Sequence, residues 1–230
     1  MREIKEKSGQ WNDRTMFKQI KAEYRQKWEM LFDLAKLGDM ERPLSARILS
    51  SPSHPITKHI LYLYSMESFI YADLNKACRE QDKAMIQYYG AYAAALSFII
   101  NNANRNRRRN KLDRTTILYR GIKLKEEEVD DYEKGVKINL LGYTSTSRRF
   151  DNALQFAFME LPEDKVPVVF EIRFSGQAGL FEMTEDVTAF PDESEVLVQD
   201  GLEYLIVNNI EKAVEDEKYR LIQLAYPADQ

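Results

Sequence analysis

Residues 190–198 read Phe190-Pro191-Asp192-Glu193-Ser194-Glu195-Val196-Leu197-Val198. Proline favours a turn, and the β-branched Val196 and Val198 indicate that a strand follows it. If Glu193 through Glu195 is extended, the two carboxylate side chains point to the same side, with roots roughly 7 Å apart. Such a pair repels itself unless a cation lies near it. The stretch therefore predicts either a solvated acidic turn or a site where positive charge develops.

Length and composition are those of a globular protein. The 230 residues can bury a substantial core, and a formal net charge of −4 argues against a general nucleic-acid binder. Cys78 is the only cysteine and there are two histidines, so we expect neither a disulfide nor a metal site. No apolar run is long enough for a membrane helix, and the charged N-terminus does not resemble a signal peptide. We therefore expect a soluble protein.

The first half of the chain has a helical period. Apolar residues recur at three- and four-residue steps over residues 1–109, which predicts amphipathic helices. Residues 56–64 predict a short buried helix, and Ser65 is expected to cap the next one. The basic run at residues 104–111 indicates a solvated connector, with docking of nucleic acid or an acidic partner as the alternative.

In the second half, from Leu112 onward, the apolar period becomes two, which indicates strands. Strands are predicted at residues 116–120, 136–140, 166–174, 180–182, 204–208 and 219–226. Few helices interrupt them. The sequence thus predicts an α+β fold, with an N-terminal helical lobe at residues 1–111 and a compact mixed β-sandwich at residues 112–230.

Two further motifs precede the acidic pair. Arg120 ends a predicted strand beside Gly121, so a planar guanidinium fork and a bare backbone lie together, which suits phosphate and a flat ligand. Residues 145–147 are Ser145-Thr146-Ser147, a run of hydroxyls. Each pattern alone also occurs on ordinary strand surfaces.

The three motifs together resemble the signature of the mono-ADP-ribosyltransferases. Tyr119-Arg120-Gly121, Ser145-Thr146-Ser147 and Glu193-x-Glu195 look like the Arg, Ser-Thr-Ser and Glu-x-Glu elements of the arginine-specific branch, which ecto-transferases and binary bacterial toxins share. The resemblance covers residues 59–226 and implies NAD as a substrate and a sandwich of the ADP-ribosyltransferase type. It also places a helix after Ser147, which we expect at residues 151–158 with Ala153, Phe156 and Ala157 inward.

The resemblance also implies catalytic roles. Glu195 would bond the ribose 2′-hydroxyl and stabilise the sugar cation that forms as nicotinamide leaves, and Ser145 would hold that carboxylate. Glu193 would orient the acceptor guanidinium, which is always charged and therefore a poor nucleophile. A glutamate at this position is the family's mark of arginine specificity.

The remaining candidates are residues that would bind NAD. Arg120 would position its phosphates or ribose, and the Gly121 backbone would contact the nicotinamide amide. Arg149 and Phe150 suit phosphate and nicotinamide because arginine pairs with phosphate and an aromatic ring stacks on a flat one. Thr146 and Ser147 complete the predicted NAD-binding set, and no metal is included.

We therefore expect transfer of ADP-ribose from NAD to an arginine of an acceptor protein, with release of nicotinamide. NAD glycohydrolysis and an inactive module that binds NAD or a partner protein are the alternatives. The loop at residues 184–192 is expected to contact the acceptor, with Phe190 as its aromatic candidate. Extracellular relatives carry paired cysteines, so the lone Cys78 favours action in a cytoplasm, including that of a host cell into which the protein is delivered. Secretion is the alternative.

Overall fold

The computed structural model describes residues 49, 51, 53–66, 69–103, 115–176 and 179–227. Within this part the chain forms two compact units. One contains residues up to Ile99 together with Glu185–Phe190, and the other contains residues 100–184 and 191–230. The predicted division at residue 111 and the basic run at residues 104–111 lie outside the described residues, as do the helices predicted before residue 49.

Three helices are described before the first strand: α1 (Pro55–Ser65), α2 (Phe69–Glu80) and α3 (Lys83–Ala103). Pro55 occupies the first position of α1, where its missing N–H costs nothing, and His54 Nδ1 accepts the Ile56 N–H at 3.2 Å. The prediction that Ser65 caps the next helix is wrong. Ser65 is the last residue of α1, and its hydroxyl donates to the Tyr62 carbonyl at 2.9 Å.

The second unit is built on an eight-stranded mixed sheet, and this confirms the predicted α+β class. The strands are β1 (Thr115–Leu124), β2 (Lys137–Leu140), β3 (Thr144–Ser147), β4 (Val166–Ser175), β5 (Leu180–Glu182), β6 (Glu195–Val198), β7 (Leu202–Val214) and β8 (Glu217–Tyr226). Their order is β2-β7-β8-β4-β1-β3-β6-β5, and β4 and β8 run parallel while the other pairs are antiparallel. Strand β7 is much longer than the predicted residues 204–208. The prediction that Arg120 ends its strand is wrong, because β1 continues to Leu124 by pairing with β4.

One face of the sheet carries the larger apolar core. Leu118, Phe170 and Ile222 alternate inward from neighbouring strands and are fully or almost fully buried. Helix α4 (Glu126–Asp130) adds Val129 to this core.

Helix α5 (Phe150–Phe158) packs on the opposite face. Ala153 and Ala157 are buried against Val169 of β4, as predicted. The prediction that Phe156 faces inward is wrong, because its side chain is 40% exposed. The inward face consists of positions 150, 153, 154, 157 and 158, which recur at three- and four-residue steps, and position 156 lies outside this series.

Candidate active site

Glu195 is the first residue of β6 and lies in the sheet opposite Ser147 of β3. It is only 5% exposed, which is unusual for a glutamate. Its Oε1 atom accepts a hydrogen bond from the Ser145 hydroxyl at 2.5 Å. Ser145 and Ser147 are two residues apart on one strand, so both side chains lie on the face that carries Glu195. The predicted contact between Ser145 and the Glu195 carboxylate is therefore present.

The environment of Glu195 raises its pKa to about 7. Burial is the largest cause, because a carboxylate away from water favours its neutral form. The Ser145 hydrogen bond lowers the pKa, the Glu193 charge raises it, and the Arg120 guanidinium lowers it. Ser145, Glu193 and Arg120 thus all lie close enough to Glu195 to change the pKa of its carboxyl.

Arg120 lies next to the point where β1 meets β3. Tyr119 pairs with Ser147, and the Arg120 guanidinium then donates from Nη1 to the main-chain carbonyl of Ser145 at 2.8 Å. A guanidinium has five N–H donors in a planar fork, so this bond leaves others available for a diphosphate. The half-buried Arg120 therefore places a fixed positive charge beside the residue that holds Glu195.

The hydroxyls of Thr146 and Ser147 donate hydrogen bonds to main-chain carbonyls of residues 193–196, here called the acidic segment. Thr146 Oγ1 donates to the Val196 carbonyl at 2.6 Å, and Ser147 Oγ donates to the Glu193 carbonyl at 2.7 Å. Both residues are less than 10% exposed. In this structure the two hydroxyls fix the position of the acidic segment, and their predicted contact with NAD stays a prediction.

The expectation that Glu193 and Glu195 share an extended strand is wrong. Pro191–Glu193 forms a short 3₁₀ turn, Ser194 has a φ of 50°, and β6 begins at Glu195. A positive φ reverses the local direction of the chain, so the simple same-side rule for strands does not apply. The two carboxylates still interact, since the Glu193 charge raises the pKa of Glu195.

The residues that follow Ser147 lead into helix α5. Arg148 pairs with Glu182 at 3.1 Å, and the exposed Arg149 precedes the helix, with its N–H donating to Ser147 Oγ at 3.0 Å. Phe150 packs edge-on against Tyr119, with ring centroids 5.5 Å apart. The predicted NAD contacts of Arg149 and Phe150 stay predictions.

Gly121 lies where helix α5 crosses β1. A Cβ atom at this position would lie 1.9 Å from the Ala153 carbonyl oxygen and 2.7 Å from the Ala157 nitrogen, so any larger residue collides with the helix backbone. This packing role is an alternative reason for glycine beside Arg120, and the predicted contact with nicotinamide stays a prediction.

Sequence reasoning missed one residue of this site. Asn152, in the first turn of α5, donates from Nδ2 to the Glu193 carbonyl at 2.9 Å. An asparagine early in a helix gives no sequence signal for such a contact, because its partner lies 41 residues away.

Metal ligands and membrane helices can be assessed for the described part of the chain. No three His, Cys, Asp or Glu side chains there are grouped so that they could hold a metal ion. None of the helices in that part has both the length and the apolar composition of a membrane span.

Comparison with known families identifies the family of this chain. The sequence profile of the NAD:arginine ADP-ribosyltransferase family matches residues 2–230. The chain belongs to this family. The resemblance inferred from the three motifs is confirmed, and the protein is an NAD-dependent ADP-ribosyltransferase.

Solved structures of ADP-ribosyltransferases share the fold at low sequence identity. The Vis toxin of Vibrio splendidus has a TM-score of 0.54 at 16% identity, and the match covers 87% of each chain. HopU1 of Pseudomonas syringae has a TM-score of 0.55 at 15% identity, covering 84% of each chain. Plx2a of Paenibacillus larvae has a TM-score of 0.54 at 16% identity, covering 84% of this chain and 96% of its own. A search of curated protein sequences finds no match.

The residues present in this ADP-ribosyltransferase fit its NAD substrate. The Arg120 guanidinium has the chemistry to bind a diphosphate, and the Glu195 carboxylate can accept a hydrogen bond from a ribose hydroxyl; both contacts stay predictions. Ser145 joins the two, since its main-chain oxygen binds Arg120 and its hydroxyl binds Glu195.

Proposed function

We propose that the protein transfers a single ADP-ribose from NAD to an arginine side chain of a target protein and releases nicotinamide. The observation that carries the proposal is the paired arrangement of two carboxylates. Glu195 is fixed by Ser145, and Glu193 lies close enough to change the pKa of Glu195. One carboxylate can serve the sugar while the other serves a cationic acceptor.

Glu195 would act on the sugar. Breaking the glycosidic bond of NAD builds positive charge on the ribose, and a fixed carboxylate lowers the free energy of that transition state. Ser145 keeps the carboxylate in place, so little reorganisation is needed when the charge develops. Arg120 would hold the diphosphate, as its position beside Ser145 suggests.

Glu193 would act on the acceptor. A guanidinium is charged at every physiological pH and attacks poorly unless a carboxylate orients it and takes up charge. The half-buried Glu193 is on the turn that leads into Glu195, which suits it to this task. The Vis toxin has been solved with agmatine, a small guanidinium compound, and exoenzyme S has been solved with Carba-NAD.

The acceptor protein would approach the segment Glu185–Phe190. Within its own unit this segment is fastened to α1, because Lys58 pairs with Asp186 and the Ala189 N–H donates to the Ser65 hydroxyl at 2.8 Å. Phe190 remains 40% exposed and is the aromatic contact we propose for the acceptor. We also propose that the enzyme acts in a cytoplasm, including that of a host cell.

Separate removal of each carboxylate tests the proposal. Purified protein is incubated with labelled NAD, with and without agmatine, and both nicotinamide release and labelled agmatine are measured. We expect Glu195→Gln to abolish both signals, because both need cleavage of the glycosidic bond. Glu193→Gln should abolish labelling and retain much of the nicotinamide release.

The same assay separates the alternatives. If the unmodified protein releases nicotinamide but labels no guanidinium, it is an NAD glycohydrolase. If it releases none, the site serves binding alone. Equal loss of both signals in Glu193→Gln would contradict the division of roles between the two carboxylates.

A further inference from the structure

The main-chain carbonyl of Glu193 is held by two side chains from different elements. Ser147 at the end of β3 donates to it at 2.7 Å, and Asn152 in the first turn of α5 donates to it at 2.9 Å. A carbonyl oxygen has two lone pairs, so it can accept both bonds. The first turn of α5 is thereby connected directly to the residue proposed to bind the acceptor.

The next residue of the segment is held from the same direction. Ser194 has a φ of 50°, a conformation that non-glycine residues adopt only when their surroundings impose it. Its carbonyl accepts the Arg148 N–H at 3.2 Å. Donors from Ser147, Arg148 and Asn152, all at the junction of β3 and α5, thus set the shape of the chain between the two glutamates.

Glu195 depends much less on Asn152. Its main chain is paired within the ladder of β3 and β6, and its side chain is bound by Ser145. Loss of the Asn152 amide therefore removes one of the two side-chain hydrogen bonds to the Glu193 carbonyl described above and leaves the ladder and the Ser145 bond at Glu195 in place.

We propose that Asn152 is a positioning residue for the acceptor step: it orients Glu193 toward the incoming guanidinium and so sets the balance between transfer and hydrolysis. The inference rests on the proposed function, since it needs a guanidinium acceptor. In this role Asn152 acts through Glu193, whose carbonyl it binds, and not on a substrate.

The test compares transfer with hydrolysis in two variants. Asn152→Ala removes the amide, and Asn152→Asp keeps its shape but places an oxygen against the Glu193 carbonyl. Nicotinamide release without acceptor and labelling of agmatine are measured for each. We expect the kcat of labelling to fall roughly tenfold, the size of losing one well-placed hydrogen bond, while release stays within about twofold.

Asn209→Asp is the matched control. Asn209 on β7 also donates from Nδ2 to main-chain carbonyls, those of Val129 and Tyr132, at 3.1 and 3.2 Å. Loss of these two hydrogen bonds should lower thermal stability at least as much as the Asn152 changes do. It should leave the ratio of agmatine labelling to nicotinamide release unchanged. This separates positioning from general support of the fold.

Each outcome decides between the claims. A lower ratio in both Asn152 variants and an unchanged ratio in Asn209→Asp support the inference. If the ratio of labelling to release is unchanged in the Asn152 variants, including the case where both rates fall in proportion, the inference is overturned and the proposed function stands. If the unmodified protein labels no agmatine, the proposed function fails first, and the inference fails with it.

Discussion

At the scale of single residues, the Glu195 carboxyl is subject to opposing effects on its pKa. Burial and the Glu193 charge raise it, whereas the Ser145 hydrogen bond and the Arg120 charge lower it. The net result is a pKa of about 7, so the fraction of Glu195 that is ionised changes steeply across neutral pH. The catalytic role proposed for Glu195 needs the ionised form, because only a carboxylate stabilises positive charge on the ribose.

The pH dependence of nicotinamide release follows from this balance. We expect kcat/KM for release without acceptor to rise with pH through a midpoint of about 7 and then level off. Ser145→Ala removes an effect that lowers the pKa, so its midpoint should move to higher pH. Ser175→Ala, at an exposed end of β4, is the control and should keep the original midpoint. A midpoint unchanged in Ser145→Ala would show that the hydroxyl does not act on the titrating group.

At the scale of elements, the packing of α5 on β1 depends on Gly121. Gly121→Ala would place a Cβ atom 1.9 Å from the Ala153 carbonyl oxygen, and helix backbone cannot yield as a flexible side chain can. We expect a loss of about 3 kcal/mol in the free energy of unfolding. Nicotinamide release should also fall, since a shift of β1 would displace Arg120 from its bond to the Ser145 carbonyl. Urea unfolding and the release assay measure the two effects.

Gly90→Ala is the matched control for that change. Gly90 lies within α3, and a Cβ atom added there would meet no heavy atom within 4 Å beyond the backbone of its own helix. Alanine is favoured over glycine in helices by about 1 kcal/mol, so this substitution should stabilise the protein or leave it unchanged. If Gly121→Ala were tolerated equally well, the close approach of α5 to β1 would be wrong.

The same elements show what local sequence can predict. Apolar residues predict β4 and β5 closely. Strand β4 has Val168 and Phe170 in the larger core and Val169 against α5, and β5 has two adjacent buried residues, Leu180 and Phe181. The positive φ of Ser194 and the exposure of Phe156 leave no local signal. Both depend on contacts with residues distant in sequence, which a periodic pattern does not contain.

At the scale of the whole molecule, sheet register brings the three motifs together. Tyr119 lies opposite Ser147, and Ser147 lies opposite Glu195, so strands β1, β3 and β6 place Arg120, Ser145 and Glu195 side by side. The order of the three motifs along the sequence was enough to predict the family. It could not supply the hydrogen-bond geometry, because the partners are 25 and 50 residues apart and register is fixed by the assembled sheet.

We expect the buried Glu195 carboxylate to lower the stability of the whole molecule at neutral and higher pH. The pKa of Glu195 is 4.5 when the chain is unfolded and about 7 when it is folded, so the folded state retains a proton that the unfolded state loses between these values. The contribution of the Glu195 carboxyl to the free energy of unfolding is therefore greatest below pH 4.5, and this contribution is lost as pH rises through 7. Glu195→Gln cannot ionise, so at pH 8 it should exceed the parent protein in free energy of unfolding by on the order of 3 kcal/mol.

Urea unfolding of Glu195→Gln and the parent protein at pH 5 and pH 8 measures this cost. The variant should be only slightly more stable than the parent at pH 5 and much more stable at pH 8. The reason is that the Glu195 carboxyl of the folded parent is mostly neutral at pH 5 and mostly ionised at pH 8. Glu163→Gln, at an exposed position, is the control for removing one negative charge and should show no comparable change between the two pH values. An advantage that is the same at both pH values would mean that burial of the Glu195 charge does not lower the stability. The Glu195 carboxylate would then lie in a more hydrated site than its 5% exposure indicates.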